Sequence, residues 1–245
     1  MSLPAKRSDP LSRLNPKSLA LVRSIGLLAS DQGVAAYLVG GPVRDLMLDL
    51  PNLDLDIAVE GSGIRLAEAW ASQHRGAVVT RYPAFKTATV RLADGRLIDF
   101  ATARREIYAR RGAYPSVKAS GIREDLFRRD FTINAMAIAI GPETWGKVID
   151  PLGGQADLKA RILRVLHDKS FLDDATRILR AARFTARLGL KVDAKTLKLL
   201  RSAIKIKVLD TIRPQRYLKD FNKLLKEPNS KEALEILKSW DAYKE

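Results

Sequence analysis

The sequence predicts an α+β fold in its first part and an all-helical second part. Up to about residue 150, short apolar runs of strand length alternate with segments of helical period. An Asp-Gly turn at residues 94–95 joins two such runs into a hairpin. From about Asp157 onward the pattern is helical to the end. The change of composition near residues 150–157 therefore predicts two domains, residues 1–150 and 151–245.

The elements of the first part follow in order along the chain. The first helix has Asn15 as its N-cap, Pro16 at its first position and Gly33 after its end. The run "AAYLVG" predicts a buried strand, and "VRDLMLD" a short helix after a Gly-Gly-Pro turn. A second strand "LDLDIAV" and a helix "IRLAEAWASQH" come next. The stretch "GAVVTRYPAFKTATVRLADGRLIDFAT" predicts a strand followed by the hairpin.

The segment of residues 103–124 is basic and interrupted by Gly and Pro, which predicts a mobile loop. Its stretch Tyr108–Arg111 is either an RNA contact through stacking and charge or a solvated surface. The run "RRDFTINAMAIAI" that follows predicts another strand or a buried helix.

The charge balance indicates a polyanionic partner. The 245 residues include 43 Lys and Arg against 28 Asp and Glu, a formal charge of +15. Such an excess speeds the capture of polyanions, so nucleic acid is the leading candidate. A basic proteome or contact with anionic lipid are the alternatives. No cysteine is present, which excludes disulfides and thiolate metal sites. There is no apolar run of membrane-spanning length and no signal-peptide core in "MSLPAKRSDPLSRLNPKS", so we expect a cytoplasmic protein.

Two aspartates in an apolar run are the first candidate site. Asp54 and Asp56 are two residues apart on a predicted strand and therefore share a face. Their carboxylates repel each other unless a cation lies between them, and oxygen ligands suit Mg²⁺. Taken alone, the pair is better explained as exposed residues of an edge strand. Asp99, on what should be a neighbouring strand, either completes a metal-binding trio or orders the site.

The turn before this strand is a candidate phosphate site. Gly40 and Gly41 lie between a strand and a helix start, where the backbone can approach a phosphate and helix amides point outward. Arg44 adds a guanidinium fork one turn later. A plain strand-to-helix turn is the alternative.

Four motifs resemble the tRNA nucleotidyltransferase/poly(A) polymerase family in their order and approximate spacing. They are "LVGGPVRDLMLDLPNLDLDIAV", "DLFRRDFTINAMAI", "DPLGGQADLKARILR" and "DDATRILRAARFTARLGL". The match covers about residues 35–190 and looks like the class II, bacterial-type branch of CCA-adding enzymes and their poly(A) polymerase relatives. The resemblance implies a polymerase beta-like nucleotidyltransferase head with a mixed sheet, followed by an all-helical neck.

The resemblance also implies roles for individual residues. Asp54 and Asp56 match the metal-binding pair and Asp99 the third catalytic acid. The positions that match nucleotide contacts are Gly40, Gly41, Arg44, Arg129, Asp130, Asn134, Asp174, Arg177, Arg180 and Arg183. Within that set, Gly41 and Arg44 hold the triphosphate, Asp130 and Asn134 concern the sugar, and Asp174 and Arg177 read the base.

The role of Asp174 and Arg177 in reading the base also follows from their chemistry. On one helix, Asp174 and Arg177 would lie one turn apart and reach one edge of a base. A carboxylate accepts from an exocyclic amine and a guanidinium donates to an acceptor, which selects C and A over G and U. The alternative is that the arginines are solvated while Ile178, Leu179 and Phe184 form the core.

The implied function is Mg²⁺-dependent transfer of CMP and AMP from CTP and ATP to the 3′ end of tRNA. Poly(A) addition, CC-only or A-only addition, and a catalytically inactive RNA-binding protein are the alternatives. Asp49 stands where the family usually has Gly, and we expect it to adopt the left-handed conformation of that turn. Family members usually continue into further helical domains, so we expect an abbreviated enzyme, a fragment or one part of a split pair.

Overall fold

The computed structural model describes residues 9–51, 54–107 and 116–243 of the chain. These residues belong to two compact units. Of the described residues, the first comprises 9–51, 54–105, 117–127 and 134–151, and the second 106–107, 116, 128–133 and 152–243. The division into domains at residue 150 stays a prediction. The candidate RNA contact at Tyr108–Arg111 lies outside the described residues.

The first unit contains a seven-stranded mixed sheet, which confirms the predicted fold class. Its strand order is β3-β4-β5-β2-β1-β8-β9. Only the β2–β5 pair is parallel, and the other neighbours are antiparallel. The strands are β1 (Ala35–Val39), β2 (Leu55–Glu60), β3 (Val78–Tyr82), β4 (Thr87–Arg91), β5 (Leu97–Thr102), β8 (Ala137–Ala139) and β9 (Val148–Ile149).

Helices bury the apolar side chains of this sheet. They are α1 (Pro16–Asp31), α2 (Gly41–Met47), α3 (Gly63–Ser72) and α4 (Ile122–Phe127). The N-cap prediction for α1 is confirmed, because the Asn15 carboxamide oxygen accepts from the Ser18 backbone N–H at 2.9 Å. Trp70 of α3 and Phe100 of β5 are both fully buried. Asp49 has a φ of 53°, the left-handed conformation expected for this turn.

One sequence-based expectation needs correction in this region, and an open alternative is decided. Residues 103–124 are not a loop where they are described, since β6 (Arg104–Ile107) and β7 (Ser116–Ala119) form a two-stranded sheet and α4 begins at Ile122. Backbone contacts fix its base, because the Ala103 N–H donates to the Val59 carbonyl at 2.8 Å. For the run after residue 127, the strand alternative is confirmed: it forms β8, preceded by a short 3-10 turn at Thr132–Asn134.

From Leu152 onward the second unit is helical, with one exception among the described residues. Its helices are α5 (Gly154–Ala160), α6 (Ser170–Asp173), α7 (Thr176–Leu188), α8 (Ala194–Lys205), α9 (Pro214–Leu225) and α10 (Ser230–Ser239). The exception is a parallel pair of two-residue strands, β10 (Ile162–Leu163) and β11 (Lys191–Val192). Arg161 adopts a φ of 55° at the end of α5 and so turns the chain into β10. The expectation of an all-helical region is therefore wrong for these two strands.

The apolar core of the second unit surrounds α7. The side chains of Phe131, Phe171, Ile178 and Leu237 are almost fully buried. The Phe131 and Phe184 rings meet edge to face with centroids 6.0 Å apart. In the described part of the chain, no helix has the length and apolar character needed to cross a membrane.

Candidate active site

The first unit places two predicted acids side by side on its sheet. Asp56 of β2 and Asp99 of β5 are register partners in the parallel pair. Leu55 and Ile57, which flank Asp56, are buried, while Asp56 is half-buried and Asp99 exposed. Asp54 is also exposed and directly precedes β2. Carboxylates from adjacent strands therefore gather on the open face of the sheet.

Thr89 contacts this group of acids, and this contact was not predicted from the sequence. Thr89 of β4 is the register partner of Asp99 on the side opposite Asp56. Its hydroxyl donates to Asp99 Oδ1 at 2.5 Å. A charge-assisted bond of this kind fixes the orientation of the carboxylate. The signal for it was the hairpin register, which pairs the two residues across the Asp94-Gly95 turn.

The acids have the chemistry of a Mg²⁺ site without forming a three-residue cage. Within residues 9–51, 54–107 and 116–243, no group of three or more His, Asp or Glu side chains is arranged to hold a metal ion. The trio considered for Asp54, Asp56 and Asp99 is thus not assembled in this structure. Mg²⁺ binds through one or two carboxylates and completes its shell with water and phosphate oxygens. Exposed carboxylate oxygens on a rigid strand fit that requirement.

The glycine turn has a backbone that only glycine adopts readily. Gly40 has φ 74° and ψ −132° at the N-cap of α2. Its N–H donates to the Met136 carbonyl at 3.3 Å, which ties the turn to the strand region before β8. The phosphate contact predicted for Gly40 and Gly41 stays a prediction.

Arg44 and Asn134, predicted to bind different parts of a nucleotide, are brought together. Arg44 Nη1 donates to Asn134 Oδ1 at 2.7 Å, and Arg44 Nε donates to Asp45 Oδ1 at 2.8 Å. The Arg44 side chain is only 4% exposed and that of Asp45 8%. The buried guanidinium thus orients Asn134. The predicted contact between Arg44 and a triphosphate remains a prediction, and it requires Arg44 to exchange or share these partners.

In the second unit, Asp130 holds Arg180. The buried Asp130 Oδ1 accepts from the Phe131 N–H at 2.8 Å, while Oδ2 accepts from Arg180 Nε at 2.8 Å and also from Nη2. Burial disfavours the charged form of Arg180, but the charge of Asp130 and its hydrogen bonds outweigh this effect and raise the Arg180 pKa. Asp130 therefore fixes Arg180 in place. This pair spans 50 residues of sequence and was not predicted.

Arg183 is held less completely on the same helix. Its Nε is buried without a hydrogen-bond partner among the described residues, and it lies 3.8 Å from Glu227 Oε1. The guanidinium lies over the Phe184 ring, 4.8 Å from the centroid. Burial, and then repulsion from Arg180, lowers the Arg183 pKa. A nearby anion favours the charged form of an arginine and would offset both effects, so this position suits a negatively charged ligand. Arg129 precedes Asp130 and is half-buried.

Asp174 and Arg177 do not share a helix, which corrects the sequence-based expectation. Asp174 follows the last residue of α6, and α7 begins only at Thr176. The physical reason is a local turn: Asp174 adopts an extended backbone after α6, and its Oδ1 accepts from the Thr176 N–H at 3.0 Å and from the Thr176 hydroxyl at 2.7 Å. The other oxygen, Oδ2, accepts from Arg216 Nη2 of α9 at 2.5 Å. Arg216 is a contact that the motif alone could not reveal.

Arg177 itself is buried within α7, with 4% of the residue exposed. Its Nη1 donates to Ser170 Oγ at 2.6 Å, and its Nη2 donates to the Arg128 carbonyl at 2.9 Å. Readout of a base by Asp174 and Arg177 stays a prediction. It requires a base to share or replace these partners and Arg216.

Comparison with known proteins identifies the family. The model of the poly A polymerase head domain matches residues 36–164, just over half of the chain. The chain belongs to the tRNA nucleotidyltransferase/poly(A) polymerase family. It is 44% identical over 210 residues to the A-adding tRNA nucleotidyltransferase of Aquifex aeolicus, covering 86% of this chain and 25% of that protein. It is 38% identical over 231 residues to the CC-adding tRNA nucleotidyltransferase of Deinococcus radiodurans, covering 94% of this chain and 60% of that protein.

The fold agrees with that of a solved family member. The Thermotoga maritima CCA-adding enzyme complexed with tRNA matches with a TM-score of 0.83 and 38% identity, over 96% of this chain and 54% of that one. The chain thus spans between a quarter and about three fifths of the lengths of these family members. The family membership predicted from the four motifs is confirmed.

Proposed function

We propose that this family member transfers CMP and AMP from CTP and ATP to the 3′ end of tRNA. The 3′ hydroxyl attacks the α-phosphorus, the bond to the β-phosphate breaks, and pyrophosphate leaves. The observation that carries the proposal is the register of Asp56 with Asp99 beside Asp54 on the open face of the sheet. Relatives that add A or CC to tRNA support the choice of substrate. The cytoplasm is the proposed location, because those relatives are tRNA-processing proteins.

The first unit would bind the phosphates and the metal. Asp54 and Asp56 would hold Mg²⁺, because their oxygens are the ligands this ion prefers. When bound there, Mg²⁺ would supply charge stabilisation to the attacking and leaving oxygens. Asp99, oriented by Thr89, would add negative charge that strengthens the hold on the cation. Arg44 would keep Asn134 in position for the sugar.

The second unit would recognise the nucleotide. Arg180 is fixed by Asp130, and Arg183 carries a buried nitrogen that an anion can satisfy. These two arginines are therefore proposed to bind negatively charged groups of CTP or ATP. Asp174 is proposed to accept from the exocyclic amine of the base, and Arg177 to donate to the acceptor beside it, a pattern that C and A share.

The alternatives within the family differ in the product. The relatives include both A-adding and CC-adding enzymes, so the chain's own preference is part of what must be tested. Poly(A) addition differs in accepting repeated ATP without stopping. A non-catalytic RNA-binding protein would bind RNA in a salt-dependent manner and ignore Mg²⁺.

The deciding experiment is incorporation of labelled CTP and ATP, separately and together, into three RNAs. These are tRNA lacking CCA, tRNA ending in CC, and an unstructured oligomer. Growth that stops after CCA on the first RNA is the expected result. C addition alone, or A addition to the CC-ended tRNA alone, would indicate a split activity, and long A tails on the oligomer would indicate poly(A) polymerase. RNA binding without incorporation would contradict the proposal.

A further inference from the structure

One face of helix α8 carries an unusual concentration of positive charge. The twelve residues Ala194–Lys205 include four basic side chains and no acidic one. Lys198, Arg201 and Lys205 are separated by three and four positions, so they lie on one helix face, and all three are exposed. We call these three residues the α8 stripe. The buried face of the helix carries Leu200 and Ala203.

Two acidic residues that contact the N-terminal half of α8 are already committed to other partners. Asp193 caps the helix at the Thr196 N–H with a distance of 3.1 Å and accepts from Arg164 Nη1 at 2.8 Å. Asp168 pairs with Lys195 at 2.7 Å. In the part of the chain that the structure describes, the three residues of the α8 stripe form no ion pair. Their charges are therefore not neutralised within the described protein.

An ordinary solvated helix of the same unit looks different. Helix α10 has two basic and two acidic residues over ten positions, and Lys238 pairs with Glu235 at 3.7 Å. Surface helices of mixed charge gain from such pairs, whereas like charges three or four positions apart are destabilising. The α8 stripe thus carries an internal repulsion that an external polyanion would remove.

We propose that the α8 stripe is a docking surface for the sugar-phosphate backbone of a double-stranded RNA stem. At about 1.5 Å per residue, Lys198 and Lys205 are separated by about 10 Å along the helix. A nucleic acid duplex presents on the order of three phosphates per strand in that length. Contacts of this kind hold RNA without reading its sequence. Naming tRNA as the source of the stem rests on the proposed function.

The test uses the whole chain and tRNA lacking CCA. In one variant, Lys198→Gln, Arg201→Gln and Lys205→Gln are combined. In the matched control, Lys17→Gln, Arg65→Gln and Arg75→Gln remove the same charge from exposed positions of the first unit. A Lys198→Arg, Lys205→Arg variant keeps the charge and reports on any packing effect.

The tRNA dissociation constant is measured between about 50 and 200 mM salt. The stripe variant is expected to bind at least tenfold more weakly at the lowest salt. Its slope of log affinity against log salt should fall by about 2 to 3, since each lost phosphate contact removes nearly one unit. The matched control and the arginine variant should stay within twofold of the unaltered protein, and the KM for CTP and ATP should not change.

Three outcomes would overturn the inference. One is an unchanged salt slope in the stripe variant, and another is an equal loss in the matched control. The third is loss of binding to phosphatidylserine vesicles with unchanged tRNA affinity, which would assign the α8 stripe to a membrane surface. RNA binding is measured without turnover, so absence of nucleotide addition would count against the proposed function and leave this result standing.

Discussion

Asp45→Asn should unfold the first unit far more readily, because it leaves the Arg44 charge buried without its carboxylate. The two side chains are 4% and 8% exposed, and Arg44 Nη2 lies 2.7 Å from Asp45 Oδ1. Removing one partner of a buried ion pair typically costs about 3–5 kcal/mol. Against a total stability of about 5–15 kcal/mol, this is a large fraction. The hydrogen bond by which Arg44 orients Asn134 should be lost together with the ion pair.

The assay is urea unfolding followed by tryptophan fluorescence. Trp70 and Trp145 belong to the first unit and Trp240 to the second. Working in a Trp240→Phe background therefore restricts the signal to the first unit. This restriction matters because a protein of two units need not unfold in one step.

Asp49→Asn is the matched control. Asp49 pairs with Arg13 at 3.0 Å, but the Asp49 side chain is 73% exposed and that of Arg13 42%. An exposed pair contributes about 0–1 kcal/mol, and Asn tolerates the left-handed backbone at this position. A loss of less than about 1 kcal/mol in Asp45→Asn, equal to that of the control, would refute the reasoning.

Three further predictions follow from the structure. Thr89→Val removes the hydrogen bond to Asp99, and a bond to a charged group contributes about 1.5–3 kcal/mol. The variant should therefore lower kcat at least tenfold with an unchanged KM for tRNA, measured by single-turnover incorporation. Arg216→Gln removes the partner that orients Asp174, so discrimination of CTP against UTP, measured as a ratio of kcat/KM, should fall about tenfold. Burial lowers the pKa of His167 from 6.5. The folded state therefore favours neutral His167, and the stability gained from this is present above pH 6.5 and is lost as the pH falls through the folded-state pKa. His167→Asn should make the free energy of unfolding, measured with urea, less dependent on pH in this range.

Matched variants separate these effects from general damage. Thr80→Val alters the strand beside Thr89 without touching Asp99, and it should leave kcat unchanged. Lys219→Gln removes a charge from the helix of Arg216 and should preserve discrimination. Equal effects in a variant and its control would contradict the first two predictions. The third prediction would be contradicted if the stability of His167→Asn changed with pH in the same way as that of the unaltered protein.

Local signals predicted much of the fold. The Asn15 cap and the Pro16 start determined helix α1, and the Asp-Gly turn determined the β4–β5 hairpin. Both signals act within a few residues and therefore depend little on tertiary packing. The short strands β6, β7, β10 and β11 were missed because their pairing partners lie outside the local window.

The candidate site was predicted as a set of residues but not as an arrangement. Motifs indicated the acids, yet the pairing of Asp56 with Asp99 depends on the parallel β2–β5 register, which no local pattern specifies. The same holds for Asp130 and Arg180, whose contact spans 50 residues. Asp174 was wrongly placed inside a helix because spacing alone does not distinguish a helical residue from a cap.

The most direct test of the central claim is incorporation by Asp54→Asn and Asp56→Asn variants, compared with Asp31→Asn. Asp31 is an exposed acid at the end of α1, so its variant removes the same charge away from the sheet. With labelled CTP and ATP and tRNA lacking CCA, each of the first two variants should lose at least a hundredfold in rate. This loss corresponds to an increase of about 2.7 kcal/mol in the activation free energy, while tRNA affinity is kept. The Asp31→Asn variant should match the unaltered protein. Incorporation by Asp56→Asn within a few-fold of the unaltered protein would contradict the assignment of these acids to catalysis.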